Sequence, residues 1–274
     1  MQLRPHRWLV LMLLFFACSA TTLRAWQASL TGFSSGGPLT WTDLPADYIG
    51  FVQCIPTLGG TDVWNSTALA LTGATANVDC ISAARGFFRL APCYATNVAD
   101  YPLQTDAADV SGHLGDMVLV NVPFTNGGIY CDGQYPDTSA NVPVLTNLDF
   151  SGFLISAEFM VASNAQTRPV FVGGNLWRWA GFYVRSDGMV GLLANDLLSW
   201  GPTLPCSTNQ WHQAVLCYTE TNQTFEIYLD GRFADRRQTA IDPHDDRTLS
   251  VSHYGSGTTF NGHLRNLRIY NLQP

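Results

Sequence analysis

Tryptophans and planar polar side chains are the groups that hold a sugar ring, because an indole covers apolar area while an amide or guanidinium meets hydroxyls. The chain sets Trp177-Arg178-Trp179 shortly after Gly173-Gly174-Asn175, and Trp200 follows. Trp177, Trp179 and Trp200 are therefore the candidate ligand-binding residues. The competing assignment is core packing, since strand alternation buries one of Trp177 and Trp179.

Metal chemistry has a second set of candidates. A hard cation such as calcium takes six to eight oxygen ligands. The densest acidic loop is Asp242-Pro243-His244-Asp245-Asp246, and Asn195-Asp196 is a shorter one. Asp242, Asp245 and Asp246 are the candidate calcium ligands, against the alternative of a solvated loop. The cysteines show no Cys-x-x-Cys pair and no Cys/His zinc spacing.

Acid–base catalysis finds less to work with. A retaining glycosidase holds two carboxyl groups about 5–5.5 Å apart. The chain has only the glutamates Glu158, Glu220 and Glu226, and none has an aspartate two residues later. Glu226 and Asp230 would share a strand face but stand about 13 Å apart by strand rise. Both are expected on the solvent side of an ordinary strand. The histidines His113, His212, His244, His253 and His263 are scattered, and His212 reads as structural.

The elements that must position these groups begin after a leader. Arg4 and Arg7 precede the apolar run Trp8 to Ala17, small residues follow, and Ala20 and Ala25 are acceptable cleavage positions. That is the layout of a secretory signal peptide over 1–25, too short for an ordinary spanning helix. An uncleaved anchor, or a lipoprotein modified at Cys18, are the alternatives. No later stretch is apolar for long enough to span a membrane, so a secreted, extracellular or cell-surface location is expected.

Cysteine use agrees with export. Cys54, Cys80, Cys93, Cys131, Cys206 and Cys217 form an even set, and six cysteines allow 15 disulfide connectivities. Three lie on each side of residue 120, which favours a bond joining the two halves. Asn65-Ser66-Thr67 and Asn222-Gln223-Thr224 are glycosylation sequons, so Asn65 and Asn222 are acceptors if the source is eukaryotic. The formal charge is -7, all 14 basic residues are arginine, and nothing basic clusters. A nucleic-acid footprint is therefore absent.

The rest of the chain reads as all-β, with 24 glycines and 14 prolines as punctuation. Phe153 to Val161 alternates, putting Phe153, Ile155, Ala157, Phe159 and Val161 on one face and Ser156 and Glu158 on the other. Asp187-Gly188 between apolar runs predicts a hairpin. Trp211 to Tyr218 and Thr224 to Leu229 follow as strands, the latter turning the core face to Phe225, Ile227 and Leu229 and closing at Asp230-Gly231. Gly262 to Tyr270 is the last strand.

These pieces, in this order, resemble a known family. Trp211-His212 opening a strand, then Ile227-Tyr228-Leu229-Asp230-Gly231, then Phe260-x-Gly262-x-Leu264-x-x-Leu267-Arg268-Ile269-Tyr270-Asn271 is similar to the laminin G-like, concanavalin A-type lectin sandwiches. Phe153 to Val161 looks like the family's early inward strand, and Gly127 to Gly133 like its opening segment. Asn266 departs from the pattern, which more often has an acid there.

The resemblance implies an antiparallel jelly-roll β-sandwich over 120–274, preceded by a β-rich segment over 26–119. It implies a binding role toward a glycan or an extracellular protein, with calcium as a candidate cofactor. A structural envelope or matrix component is the alternative. A polysaccharide-degrading enzyme is a further one, although enzymes of this fold carry Glu-x-Asp-x-x-Glu or Glu-x-Asp-x-Glu and this chain has neither. A non-enzymatic protein is the expectation.

Overall fold

The computed structural model describes residues 29–32, 39–42, 47–55, 65–70, 75–76, 87–133, 138–163, 166–174, 180–194, 197–199, 203–241, 247–251, 253–254 and 258–273. The chain divides into two units, Met1–Pro92 and Cys93–Pro274.

In the first unit, β1 (Ser29–Gly32), β2 (Leu39–Thr42) and β5 (Thr75–Ala76) form a small antiparallel sheet, and β3 (Tyr48–Ile55) pairs antiparallel with β4 (Asn65–Ala70). Ile49, Phe51 and Val52 are buried.

The strand β6 (Phe87–Tyr101) runs on into the second unit. There the chain forms β7 (Val118–Val120), β8 (Phe124–Thr125), β9 (Gly128–Asp132), β10 (Ser139–Val142), β11 (Gly152–Val161) and β12 (Arg168–Gly173). Next come β13 (Ala180–Val184), β14 (Val190–Ala194), β15 (Leu197–Leu198), β16 (Trp211–Thr219) and β17 (Thr224–Leu229). The chain ends with β18 (Arg232–Gln238), β19 (Leu249–Val251), β20 (His253–Tyr254), β21 (Thr258–Thr259) and β22 (Asn261–Gln273). Among the described residues the one helical piece is the 3-10 turn Glu220–Asn222.

Two antiparallel sheets face each other. One has the order β15-β14-β13-β12-β19-β10-β7. The other runs β18-β17-β16-β11-β22. The long β22 carries β9 beside its first residues and Tyr94–Tyr101 of β6 beside its last. That pairing draws the stretch from Cys93 to Val120 into the second unit, ahead of the boundary expected at residue 120.

The core between the sheets is made by the expected faces. Phe153, Ile155, Ala157, Phe159 and Val161 are buried in it, as are Phe225, Ile227 and Leu229. Phe159 from one sheet meets Phe182 from the other at a centroid distance of 5.7 Å, edge to face. The turns are equally local in origin. Asp187-Gly188 joins β13 to β14, with Gly188 at φ 77°. Asp230-Gly231 joins β17 to β18 with φ 51° and 76°, the paired left-handed residues of a type I′ hairpin.

One expectation fails here. Glu226 is not on a solvent face: it is only 9% exposed. At this end of the sheet Leu154, Ser156, Val215, Cys217 and Tyr228, which point away from the sandwich core, are buried as well. Alternation says which side a residue takes, and cannot say that both sides are closed.

Candidate functional site

The register fixes one row of side chains across four strands. Met160 of β11 faces Trp211 of β16 on one side and His263 of β22 on the other, and His263 faces Tyr130 of β9. The next row on the same face is Gln213, Glu158 and Arg265. The intervening positions, Phe159, Leu264 and Ile129, are fully buried in the sandwich core. Period-2 geometry therefore sends Trp211, Met160, Tyr130, Gln213, Glu158 and Arg265 outward, where all six are half-buried.

This row is tied together by its own contacts. The Arg265 guanidinium lies 4.0 Å from the centre of the Trp211 ring. Its Nε donates to Glu158 Oε2 at 2.7 Å, and Asn266 Nδ2 donates to Glu158 Oε1 at 2.8 Å. That second bond accounts for the Asn266 departure: an acid there would face the Glu158 carboxylate. Asn266 also holds φ 50°, which asparagine tolerates better than most residues.

The turn between β8 and β9 closes one side of the row. Asn126 and Gly127 have φ 52° and 72°, another type I′ pair. A Cβ on Gly128 would stand 2.7 Å from the Leu264 carbonyl oxygen and 3.1 Å from Trp211 Cη2, so glycine lets the indole edge reach the hairpin. His263 lies behind it, 8% exposed, with its ring centroid 4.9 Å from that of Tyr130 and 6.3 Å from that of Trp211. Its Nε2 is 3.2 Å from Asn126 Nδ2, the contact of a ring nitrogen that accepts. Burial pushes the His263 pKa down, partly offset by a hydrogen bond to the Thr125 backbone.

A second constellation brings together a serine, a histidine and an aspartate. His212 Nδ1 is 2.7 Å from Asp230 Oδ2, and its Nε2 is 2.8 Å from Ser207 Oγ. A nucleophilic serine must give its proton to the histidine. Here Ser207 Oγ donates to Gln210 Oε1 at 2.9 Å, and His212 Nε2 also lies 3.2 Å from the Ser207 carbonyl oxygen. Asp230 Oδ1 meanwhile accepts from the Gln213 backbone N–H at 2.8 Å. The arrangement clips the 203–210 loop and the Asp230 turn to the start of β16, which agrees with the structural reading of His212.

The other glutamates are occupied elsewhere. Glu226 Oε1 accepts from Arg236 Nε at 2.8 Å, and Glu226 Oε2 accepts from the Tyr228 hydroxyl. Glu220 accepts from the Tyr218 hydroxyl. Along the strands Glu158 and Glu226 are four positions apart, about 13 Å before the lateral offset is added. That exceeds the separation of a glycosidase acid pair, whether retaining or inverting.

Among the described residues no three His, Cys, Asp or Glu side chains gather as a metal site. Asp242, Asp245, Asp246, Asn195 and Asp196 lie outside the described residues, as do Trp177, Trp179 and Trp200. So do the leader over 1–25 and Cys80, and the side chains of Cys54 and Asn65 are likewise not described. Asn222 is exposed on the 3-10 turn.

The disulfide expectation meets free thiols at Cys93, Cys206 and Cys217. For Cys217 the register explains it, since its partners across the sheet are Leu154 and Glu226. Burial raises the Cys93 thiol to about 11, the Cys206 thiol to about 12 and the Cys217 thiol well above its usual value.

Comparison with known proteins confirms what the sheets show. The model of the concanavalin A-like lectin/glucanases superfamily family Laminin_G_3 matches residues 128–273, more than half of the chain. The chain belongs to this family. Among solved structures, domain 4 of AbnA, a GH43 extracellular arabinanase from Geobacillus stearothermophilus in complex with arabinotriose, superposes with a TM-score of 0.51 at 16% identity. That match covers 65% of this chain and 93% of that one. Trypanosoma rangeli sialidase in complex with 2,3-difluorosialic acid superposes with a TM-score of 0.52 at 14% identity, over 64% of this chain but only 30% of the sialidase. At these identities the likeness is one of fold. No curated protein matches the chain. Glycosidase domains are thus among the fold neighbours of this Laminin_G_3 chain, and no helix among its described residues is long and apolar enough to cross a membrane.

The Trp211–Arg265 row is only partly legible in the sequence. Trp211 and Gly127-Gly128 stood out as pieces of the family pattern, and Glu158 as an outward residue. The register alone shows that these three distant segments meet.

Proposed function

We propose that this protein is an exported, non-catalytic glycan-binding protein, and that the second unit binds sugar on the Trp211–Arg265–Glu158 face. The observation that carries this reading is the outward stack of an arginine on a tryptophan, fixed by a glutamate. A half-buried indole supplies apolar area for a sugar face, and Gln213, Asn126 and the arginine supply hydroxyl partners. Trp211, Gln213 and Arg265 stand on strands and Asn126 in the tight β8–β9 turn, so little entropy is lost in ordering them.

Two facts support binding over hydrolysis. The three glutamates are spread over separate hydrogen-bonded sites, and the matched arabinanase unit is a domain of an enzyme crystallised with a trisaccharide. Export rests on the basic-then-apolar start of the chain. Calcium remains part of the proposal through the loop of Asp242, Asp245 and Asp246.

The test is a glycan array probed with the wild-type protein and with Trp211→Ala, each with calcium and with chelator. Binding to a defined sugar class that Trp211→Ala abolishes supports the face. Binding that survives Trp211→Ala but disappears with chelator moves the site to the acidic loops. Absence of binding to every glycan would sink the reading and leave a protein partner.

A further inference from the structure

We infer that the ligand of this face presents a carboxylate, as in an oligosaccharide containing a uronic acid, and that the Arg265 Nη1 and Nη2 groups grip it as a fork. The inference rests on the glycan reading of the site.

The argument is an account of donors. Arg265 spends Nε on Glu158, and among the described residues Nη1 and Nη2 make no hydrogen bond. The guanidinium is nevertheless held in place, by Glu158 on one edge and by the Trp211 ring beneath it at 4.0 Å. A guanidinium carries its two Nη groups in a plane that matches the two oxygens of a carboxylate. Most exposed arginines lose side-chain entropy when they bind; this one is already ordered.

Among the described residues of the row there is no competing acid. Glu158, the carboxylate of the row, has its two oxygens committed to Arg265 and Asn266. Asn126 and Gln213 are neutral. Gly127 borders Nη1 without a side chain: a Cβ there would lie 3.6 Å from Nη1, so the fork is approached past bare backbone. The formal charge of -7 on the whole chain opposes a polyanion at long range, so one acid group per contact suits the site better than a densely charged polymer.

The experiment compares three trisaccharides by calorimetry: galacturonic acid trimer, the same trimer after carboxyl reduction, and a sulfated neutral trimer. The expected result is that the uronic acid trimer binds about 10-fold or more tightly than its reduced counterpart. Arg265→Gln should equalise the two, and Arg265→Lys should lose most of the preference because an ammonium cannot act as a fork. Equal, measurable binding of acid and reduced trimers by the wild type would overturn the inference and leave the glycan reading standing. A preference for the sulfated trimer would overturn it too. Failure of all three to bind would count against both the inference and the reading beneath it.

Discussion

The outward face of one sheet carries the same chemical triplet twice, at opposite ends. Glu158, Arg265 and Trp211 form one, with the two charged side chains 31% and 29% exposed. Glu226, Arg236 and Phe233 form the other, where the glutamate is 11% exposed, the Arg236 guanidinium is 5.5 Å from the Phe233 ring and the Tyr228 hydroxyl adds a further donor. The parts are alike and the surroundings differ. Glu226, being buried, has to be satisfied by protein donors, because an unpaired carboxylate there has no water to turn to; its partner Arg236 is 34% exposed, no more buried than Arg265 at 29%. Half-exposed, the pair adds little to stability and is free to leave donors unspent. Burial of the glutamate, rather than residue type, separates the two triplets.

That contrast can be broken at either end. Glu226→Ala strands the Arg236 and Tyr228 donors, and should cost about 1–3 kcal/mol in urea unfolding while leaving sugar affinity unchanged. A loss of affinity with no loss of stability would reverse the roles of the two ends. Trp211→Ala should do the opposite: a loss of about 2 kcal/mol in binding, roughly 30-fold in Kd, with a smaller effect on stability. Glu158→Ala should cost at most about 1 kcal/mol in stability, as exposed pairs do, while loosening the arginine enough to weaken binding.

The acid side of the pH profile sharpens the picture through His263. Its pKa is lowered in the folded protein from 6.5, so the unfolded chain binds its proton first. The stability it contributes is full above pH 6.5 and declines as pH falls through the lower folded value. Protonation would set an Nε2–H against the Asn126 amide. NMR titration of the imidazole should therefore show the hairpin shifts of Asn126 and Gly127 moving with the ring, and His263→Gln should flatten the acid limb of the stability curve. The smallest effect is a rate: iodoacetamide at pH 8 should leave Cys217 unmodified until the protein unfolds, since the thiol is buried and its pKa is raised. Rapid native labelling would mean that the buried end of the sheet opens.

Much of the fold is legible in the sequence. The alternation of Phe153 to Val161, the Asp-Gly turns and the closing Gly262 to Tyr270 strand each follow from local rules of pleat and turn, and each appears where expected. The site was less legible. Trp177, Trp179 and Trp200, conspicuous in the sequence as neighbouring aromatics, lie outside the described residues. The row that the sheet assembles comes from residues 126–130, 158–160, 211–213 and 263–266, whose only common property is register.

What the sequence determined by itself is local: which residues turn, which alternate, and which side each takes relative to its neighbours. Those depend on φ/ψ preference and period, and both are written within a few residues. What only the tertiary structure decided is the difference between Glu158 and Glu226. Both are glutamates on the outward side of a strand, opposite arginines. One end of their shared face is open and the other closed, and solvent access is set by every element that packs nearby, which no local window contains.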